Sequence, residues 1–124
     1  MREKGHPSLL ESFGFASAGL WLVMKSQRNF RIHLSVAVMV VLLAAWVRPS
    51  VLGWVALILT IGTVLVAEIF NSAAEKLVDL ASPDYHPLAK QVKDMAAGAV
   101  LLTAGIAVVV GLLILGPLLW QRLL

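Results

Sequence analysis

Three long apolar stretches limit the folds that this chain can adopt. They cover approximately residues 32–47, 51–70 and 95–120. Crossing the hydrocarbon core of a bilayer takes about 20 apolar residues in a helix. The composition agrees with such spans, because 60% of the residues are hydrophobic and 14% are charged, whereas soluble domains have about 25% charged residues. The sequence therefore predicts an all-α integral membrane protein with a single domain over residues 1–124.

We predict three transmembrane helices from these stretches. They are a first span over 29–48, a second over 51–70 that continues as a polar helix to residue 80, and a third within a helix over 87–120. The first apolar stretch is short, so its helix must begin near Asn29 or lie in thinned lipid. A buried helix of a soluble core is the alternative for that segment.

The distribution of Lys and Arg orients these spans. Eight of the ten lie before the first span or between the second and third, at positions 2, 4, 25, 28, 31, 76, 90 and 93. Arg48 and Arg122 fall on the opposite side. The positive-inside rule then places the N-terminus and residues 75–94 in the cytoplasm. Anionic headgroups account for the net charge of +3, so no nucleic-acid partner is predicted.

An amphipathic helix is predicted within residues 1–28. Ser8 and Glu11 have the spacing of a capping box, and apolar residues then recur at helical intervals. The pattern lacks the unbroken apolar core of a cleaved signal peptide. A helix lying at the membrane surface and a linker helix packed on the bundle both fit it.

Four polar side chains lie on one face of the second helix where its apolar part ends: Glu68, Asn71, Glu75 and Asp79. At 100° per residue they fall within an arc of about 80°. A helix that continues into water explains Asp79 and Glu75 but not Glu68, since a carboxylate in hydrocarbon costs at least about 2.5–3.5 kcal/mol. Because three helices are too few to enclose Glu68, we expect an oligomer to bury it.

The segment 82–94 is predicted to be a loop followed by a new helix that begins near Pro87. Lys90, Lys93 and Asp94 occupy the first two turns of that helix. Lysines are unfavourable near a helix N-terminus, so their position indicates an anionic partner. Binding of lipid headgroups is the alternative. Further along, Ala99, Thr103, Ala107 and Gly111 recur every four residues and favour close helix contact.

These groups suit transfer of a phosphoryl group to a lipid hydroxyl. In that interpretation Glu68 accepts the hydroxyl proton, and Glu75 and Asn71 supply hard oxygen ligands to Mg²⁺. Lys93 neutralises the oxygens of the transferring phosphate. No Walker loop or zinc-protease motif is present.

Three segments together are similar to the small prokaryotic diacylglycerol kinase and undecaprenol kinase family. They read AEIFNSAAEKLVD at 67–79, YHPLAKQVKDMAAGAV at 85–100 and RNFRIH at 28–33. The resemblance implies an ATP- and Mg²⁺-dependent lipid kinase of the bacterial inner membrane. It also implies a homotrimeric helical bundle with an N-terminal surface helix and active sites shared between subunits on the cytoplasmic side.

The resemblance also assigns roles to residues. It implies Glu68 as the catalytic base and Glu75 as a ligand of the nucleotide's magnesium. It implies an ATP site lined by Phe15, Asp84, Tyr85, His86, Lys93 and Asp94. Many relatives carry a glutamate as a second metal ligand where this chain has Gln27, which can still ligate magnesium without a full charge.

The substrate and the class of function leave alternatives. The 86–100 pattern is similar to the undecaprenol kinases, so undecaprenol is the expected substrate and diacylglycerol the alternative. A non-enzymatic membrane assembly subunit is the competing class, in which the polar face serves as an assembly contact. A proton or cation pathway through Glu68 is disfavoured, because Thr60 and Thr63 are the only polar relays between Val51 and Val66.

Overall fold

The computed structural model describes residues 5–124, which form four α-helices and no strand. The helices are α1 (Leu9–Ser26), α2 (Arg28–Val47), α3 (Val51–Ala81) and α4 (Pro87–Leu123). Of these, α2, α3 and α4 are long and apolar enough to cross a membrane. The prediction of an all-α membrane protein with an N-terminal helix and three spans is confirmed. Arg2 and Lys4, which belong to the predicted cytoplasmic set, lie outside the described residues.

The predicted capping box starts α1. The Ser8 hydroxyl accepts from the Glu11 amide at 3.2 Å, and the Glu11 carboxylate accepts from the Ser8 amide at 2.7 Å. The backbone bond from Ser8, reinforced by its side chain, holds the pKa of Glu11 below its usual value. Residues 9–22 are all exposed, so most of α1 does not pack on its own bundle, and its apolar side chains are free to meet the membrane surface.

A sharp joint connects α1 to α2 at Gln27, whose backbone is extended. The Arg31 guanidinium, one turn into α2, donates to the carbonyls of Met24 and Lys25 at 3.1 and 2.9 Å. These carbonyls belong to the last turn of α1 and lack partners within the helix. Arg31 therefore caps α1 and fixes its junction with α2.

The best-packed part of the bundle lies at the end opposite to α1. Ala44 and Val47 of α2 meet Leu57 of α3 and Leu115 of α4 in a buried cluster. Arg122 joins the same end, since its guanidinium donates to the Trp46 carbonyl at 2.8 Å and lies 5.5 Å from the centre of the indole ring.

Close approach of helices at this end depends on Gly53. A Cβ atom there would lie 3.0 Å from the Pro49 ring and 3.3 Å from Ile114 of α4. The α2–α3 turn needs a left-handed residue, and Arg48 takes that conformation at φ 57°.

The expectation that only an oligomer would bury Glu68 is wrong. Glu68 is 2% exposed within a single chain. The reason is that α2 and α4 both pack against α3, and His33 of α2 lies beside the Glu68 carboxylate. The homotrimer itself stays a prediction.

Candidate active site

The site begins where the apolar part of α3 gives way to its polar extension. Glu68 is among the most deeply buried side chains in the described residues. The imidazole of His33, on α2, approaches it with 3.9 Å between Nε2 and Oε2. On the same helix the Ser72 hydroxyl donates to the Glu68 carbonyl at 3.0 Å. A buried carboxylate with one basic neighbour on a facing helix has the placement of a general base.

Asn71 and Glu75 form the next part of the site, one helical turn apart on α3. The Asn71 amide donates to a Glu75 carboxylate oxygen over 3.5 Å, which is a long hydrogen bond. Asn71 is 7% exposed, and its Oδ1 is buried with no hydrogen-bond partner. Buried amide oxygens are normally paired, so this oxygen is available to a ligand.

These two residues fit a magnesium ion. Mg²⁺ binds hard oxygens, and in nucleotide enzymes it usually takes one or two carboxylates together with phosphate oxygens and water. Glu75 offers the carboxylate and the unpaired Asn71 oxygen lies beside it. Within residues 5–124 no three His, Asp or Glu side chains lie close enough together to hold a metal ion by themselves. Substrate phosphates would therefore complete the coordination.

Lys93 joins α4 to the polar extension of α3. Its ammonium donates to Asp79 at 2.6 Å, while Lys90 pairs with Asp94 one turn along α4. Asp79 lies 11 residues beyond Glu68, which is about 16 Å along the helix axis. While it is paired with Asp79, Lys93 therefore lies far from Glu68, the predicted base of the same chain.

The loop residues predicted to bind ATP lie at the start of α4. His86 caps that helix, its Nδ1 accepting from the Leu88 amide at 3.1 Å. The Asp84 carbonyl accepts from the Ser82 hydroxyl at 2.9 Å, which leaves the Asp84 carboxylate free of that turn. Asp84, Tyr85 and His86 are all exposed.

Two predicted residues lie on the N-terminal side of the site. Phe15 is exposed on α1, and Gln27 is half-buried at the joint between α1 and α2. Among the described residues no side-chain hydrogen bond or ion pair connects either of them to Glu75 or Lys93. Their roles at the nucleotide and the metal stay predictions.

Sequence reasoning gave no role to His33, although it lies inside the RNFRIH segment. It is the one ionisable residue between Ile32 and Val47. An isolated ionisable residue in an apolar segment is a signal from which a functional role could have been predicted. Its contact with Glu68 depends on the register between α2 and α3, which no local pattern in the sequence determines.

Comparison with known proteins identifies what this arrangement belongs to. A family model described as prokaryotic diacylglycerol kinase matches residues 14–115. The chain belongs to the prokaryotic diacylglycerol kinase family. That match includes Phe15, the polar face of α3 and the start of α4, so all the candidate site residues lie within it.

Individual relatives of this family carry two different names. The chain is 40% identical over 107 residues to the undecaprenol kinase of Bacillus subtilis (strain 168), which covers 86% of this chain and 87% of that protein. It is 46% identical over 115 residues to the diacylglycerol kinase of Synechocystis, covering 91% of this chain and 66% of that protein. It is 30% identical to the diacylglycerol kinase of Escherichia coli (strain K12), over 85% of this chain. The protein is therefore a lipid kinase of a bacterial membrane.

Proposed function

We propose that this lipid kinase transfers the γ-phosphoryl group of ATP to the hydroxyl of undecaprenol, with Mg²⁺, at the cytoplasmic face of the membrane. The observation that carries this proposal is the burial of Glu68 at the end of the apolar part of α3. A membrane lipid presents its hydroxyl near the boundary between hydrocarbon and headgroups. A base at that boundary meets the hydroxyl without removing the lipid from the bilayer.

The remaining residues divide the other tasks of phosphoryl transfer. In the proposal Glu75 and the unpaired oxygen of Asn71 hold the metal, which neutralises charge on the phosphates. Lys93 binds phosphate oxygens, and Asp79 holds its side chain until the nucleotide arrives. The exposed Asp84, Tyr85 and His86 lie where a soluble nucleotide has access, and Phe15 offers an aromatic surface for the base.

The choice of undecaprenol rests on two observations. The 86–100 segment is similar to undecaprenol kinases, and the relative of that name is matched over 87% of its length. Diacylglycerol is the second candidate, and the 46% identity to the Synechocystis diacylglycerol kinase favours it. Both lipids present a hydroxyl attached to hydrocarbon, so the site chemistry is the same for either.

A homotrimer with shared sites belongs to this proposal. Within one chain Glu68 and the Asp79–Lys93 pair are separated by about 16 Å of helix axis, a height that a bound nucleotide would have to bridge. A neighbouring subunit's Lys93 would lie at this same height in a trimer around the membrane normal, so the support for a shared site is the resemblance to the family and the small residues that recur every four positions on α4. The positive-inside distribution of Lys and Arg supports a cytoplasmic site.

A side-by-side assay tests the function. The purified protein in lipid bicelles would receive ATP labelled in the γ-phosphate and either undecaprenol or diacylglycerol at equal mole fraction. We expect label in undecaprenyl phosphate at a higher kcat/KM than in phosphatidic acid. The reverse preference would make diacylglycerol the substrate, and transfer to neither lipid would support the non-enzymatic assembly subunit instead.

A further inference from the structure

The Glu68 carboxyl group is enclosed so fully that a proton it accepts has no direct way to water. Its side chain is 3% exposed. If Glu68 is the base, as the proposed function requires, it is protonated at the end of each turnover and must lose that proton before the next. The inference below rests on that proposed role.

His33 is the group placed to receive this proton. Its Nε2 lies 3.9 Å from Glu68 Oε2, and its own side chain is 26% exposed. It lies five residues after Arg28, the first residue of α2, which is about 7.5 Å along the axis. In the proposed orientation the charges of Arg28 and Arg31 favour headgroup level, which would place the imidazole just below the polar boundary.

The surroundings of His33 single it out further. An apolar groove of about 540 Å³ runs between α2, α3 and α4, and His33 is the one ionisable residue among its lining side chains. The groove extends from Ile32 and His33 towards Leu119, near the opposite end of the bundle. An imidazole at one end of an apolar groove, facing a buried carboxylate, has no evident packing purpose.

We propose that His33 relays the substrate proton from Glu68 to water. In the transfer step the lipid O–H bond breaks, its oxygen forms the new bond to phosphorus, ADP leaves, and Glu68 takes the proton. Neutral His33 then accepts that proton at Nε2 and restores the Glu68 carboxylate. The imidazolium afterwards releases the proton to interfacial water. Each cycle thus delivers one proton to water and regenerates both side chains.

The distance is compatible with this step. A direct hydrogen bond needs about 2.7–3.2 Å, so the two groups must approach by roughly 1 Å or share one water. Catalytic hydrogen bonds are often long before substrate binds. His33 acts through Glu68 and not on the reacting atoms.

Few other charges face this pair. On α3 the nearest ionisable residue is Glu75, two helical turns towards the cytoplasm, and none lies between Arg48 and Glu68. On α2 the Arg31 guanidinium is directed to the α1 carbonyls. On α4 nothing ionises between Asp94 and Arg122. Among the described residues, His33 is therefore the ionisable side chain that contacts the Glu68 carboxylate.

The test compares five variants in bicelles, Glu68→Gln among them, with activity measured against pH and against buffer concentration. His33→Ala should lower kcat by about tenfold or more, with KM for ATP and lipid changed by less than about twofold. Added imidazole should restore kcat in a saturable manner. His33→Glu, whose carboxyl group can also carry a proton, should recover part of the rate, whereas His33→Gln should not. Val36→Ala, in the same groove, is the matched control and should keep wild-type kcat.

The outcomes separate the relay from the proposed function. If His33→Ala or His33→Gln keeps wild-type kcat and pH profile while Glu68→Gln is inactive, the relay is wrong and the base role stands. The relay is also wrong if the His33 variants change only the KM for lipid. It is equally wrong if His33→Ala and His33→Glu lose the same activity and imidazole does not restore it in His33→Ala. Activity in Glu68→Gln would instead overturn the base role itself. If His33→Ala fails to fold, the comparison of His33→Gln with His33→Glu decides the question.

Discussion

Replacing Asn71 by aspartate should make the stability of this protein depend on magnesium. The Asn71 amide and the Glu75 carboxylate lie 3.5 Å apart. Two carboxylates at that separation repel each other by about 5 kcal/mol at an effective dielectric constant of about 20. Proton uptake by one of the two, screening and side-chain rotation will reduce this penalty, so a clear loss of thermal stability is the expected result.

Magnesium should reverse that loss in Asn71→Asp. Binding to the folded state alone stabilises it by RT ln(1 + [L]/Kd), and a second carboxylate beside Glu75 strengthens the binding of a hard cation. The assay is thermal unfolding in detergent as a function of Mg²⁺, with Ca²⁺ as a second ion. Wild-type protein should respond less than the variant.

The control for this prediction is Ala74→Asp. It adds the same charge to the same turn of α3, but adjacent residues on a helix do not face each other. We expect Ala74→Asp to show little response to magnesium. If both variants respond equally, or if Asn71→Asp is as stable as wild type without metal, Asn71 and Glu75 do not form a metal site.

Three further predictions concern other parts of the chain. Gln27→Glu should lower the magnesium concentration needed for half-maximal activity, because a full charge strengthens a hard-cation site; an unchanged midpoint would place Gln27 outside the coordination sphere. Arg122→Met should lower unfolding stability by about 1–2 kcal/mol through loss of one hydrogen bond and one cation–π contact with Trp46, and kcat should stay at the wild-type value; a large loss of kcat would contradict a purely structural role. Mixing Glu68→Gln and Lys93→Ala subunits, each inactive alone, should restore activity in mixed oligomers; no recovery despite co-purification would assign both groups to one chain.

The sequence predicted most of the fold because its strongest signals are local. Apolar stretches, the Ser8–Glu11 spacing and Pro87 at the start of α4 each act within a few residues, so they locate helices without knowledge of their neighbours. The predicted helix over 87–120 extends to Leu123 in the structure, three residues beyond its predicted end. Terminal turns are the part of a helix that local signals define least well.

The site was predictable only in part, for the opposite reason. Glu68 was conspicuous as a carboxylate within an apolar segment, and its position needed no partner to be noticed. The contact of His33 with Glu68 and the pairing of Lys93 with Asp79 depend on how helices distant in sequence are packed. The same packing buries Glu68 within one chain. The number of apolar helices did not predict this burial.

The activity of Glu68→Gln tests the central claim most directly. The exchange keeps the size of the side chain and removes its ability to accept a proton, while His33, Ser72 and the helix packing stay in place. Transfer of labelled phosphate from ATP to undecaprenol and to diacylglycerol would be measured in bicelles, beside wild type and a Ser72→Ala control. We predict a loss of about 10²–10⁴ in kcat for Glu68→Gln, with an unchanged oligomer and near-normal activity in the control. More than half of wild-type kcat in Glu68→Gln would contradict the assignment of Glu68 as the base.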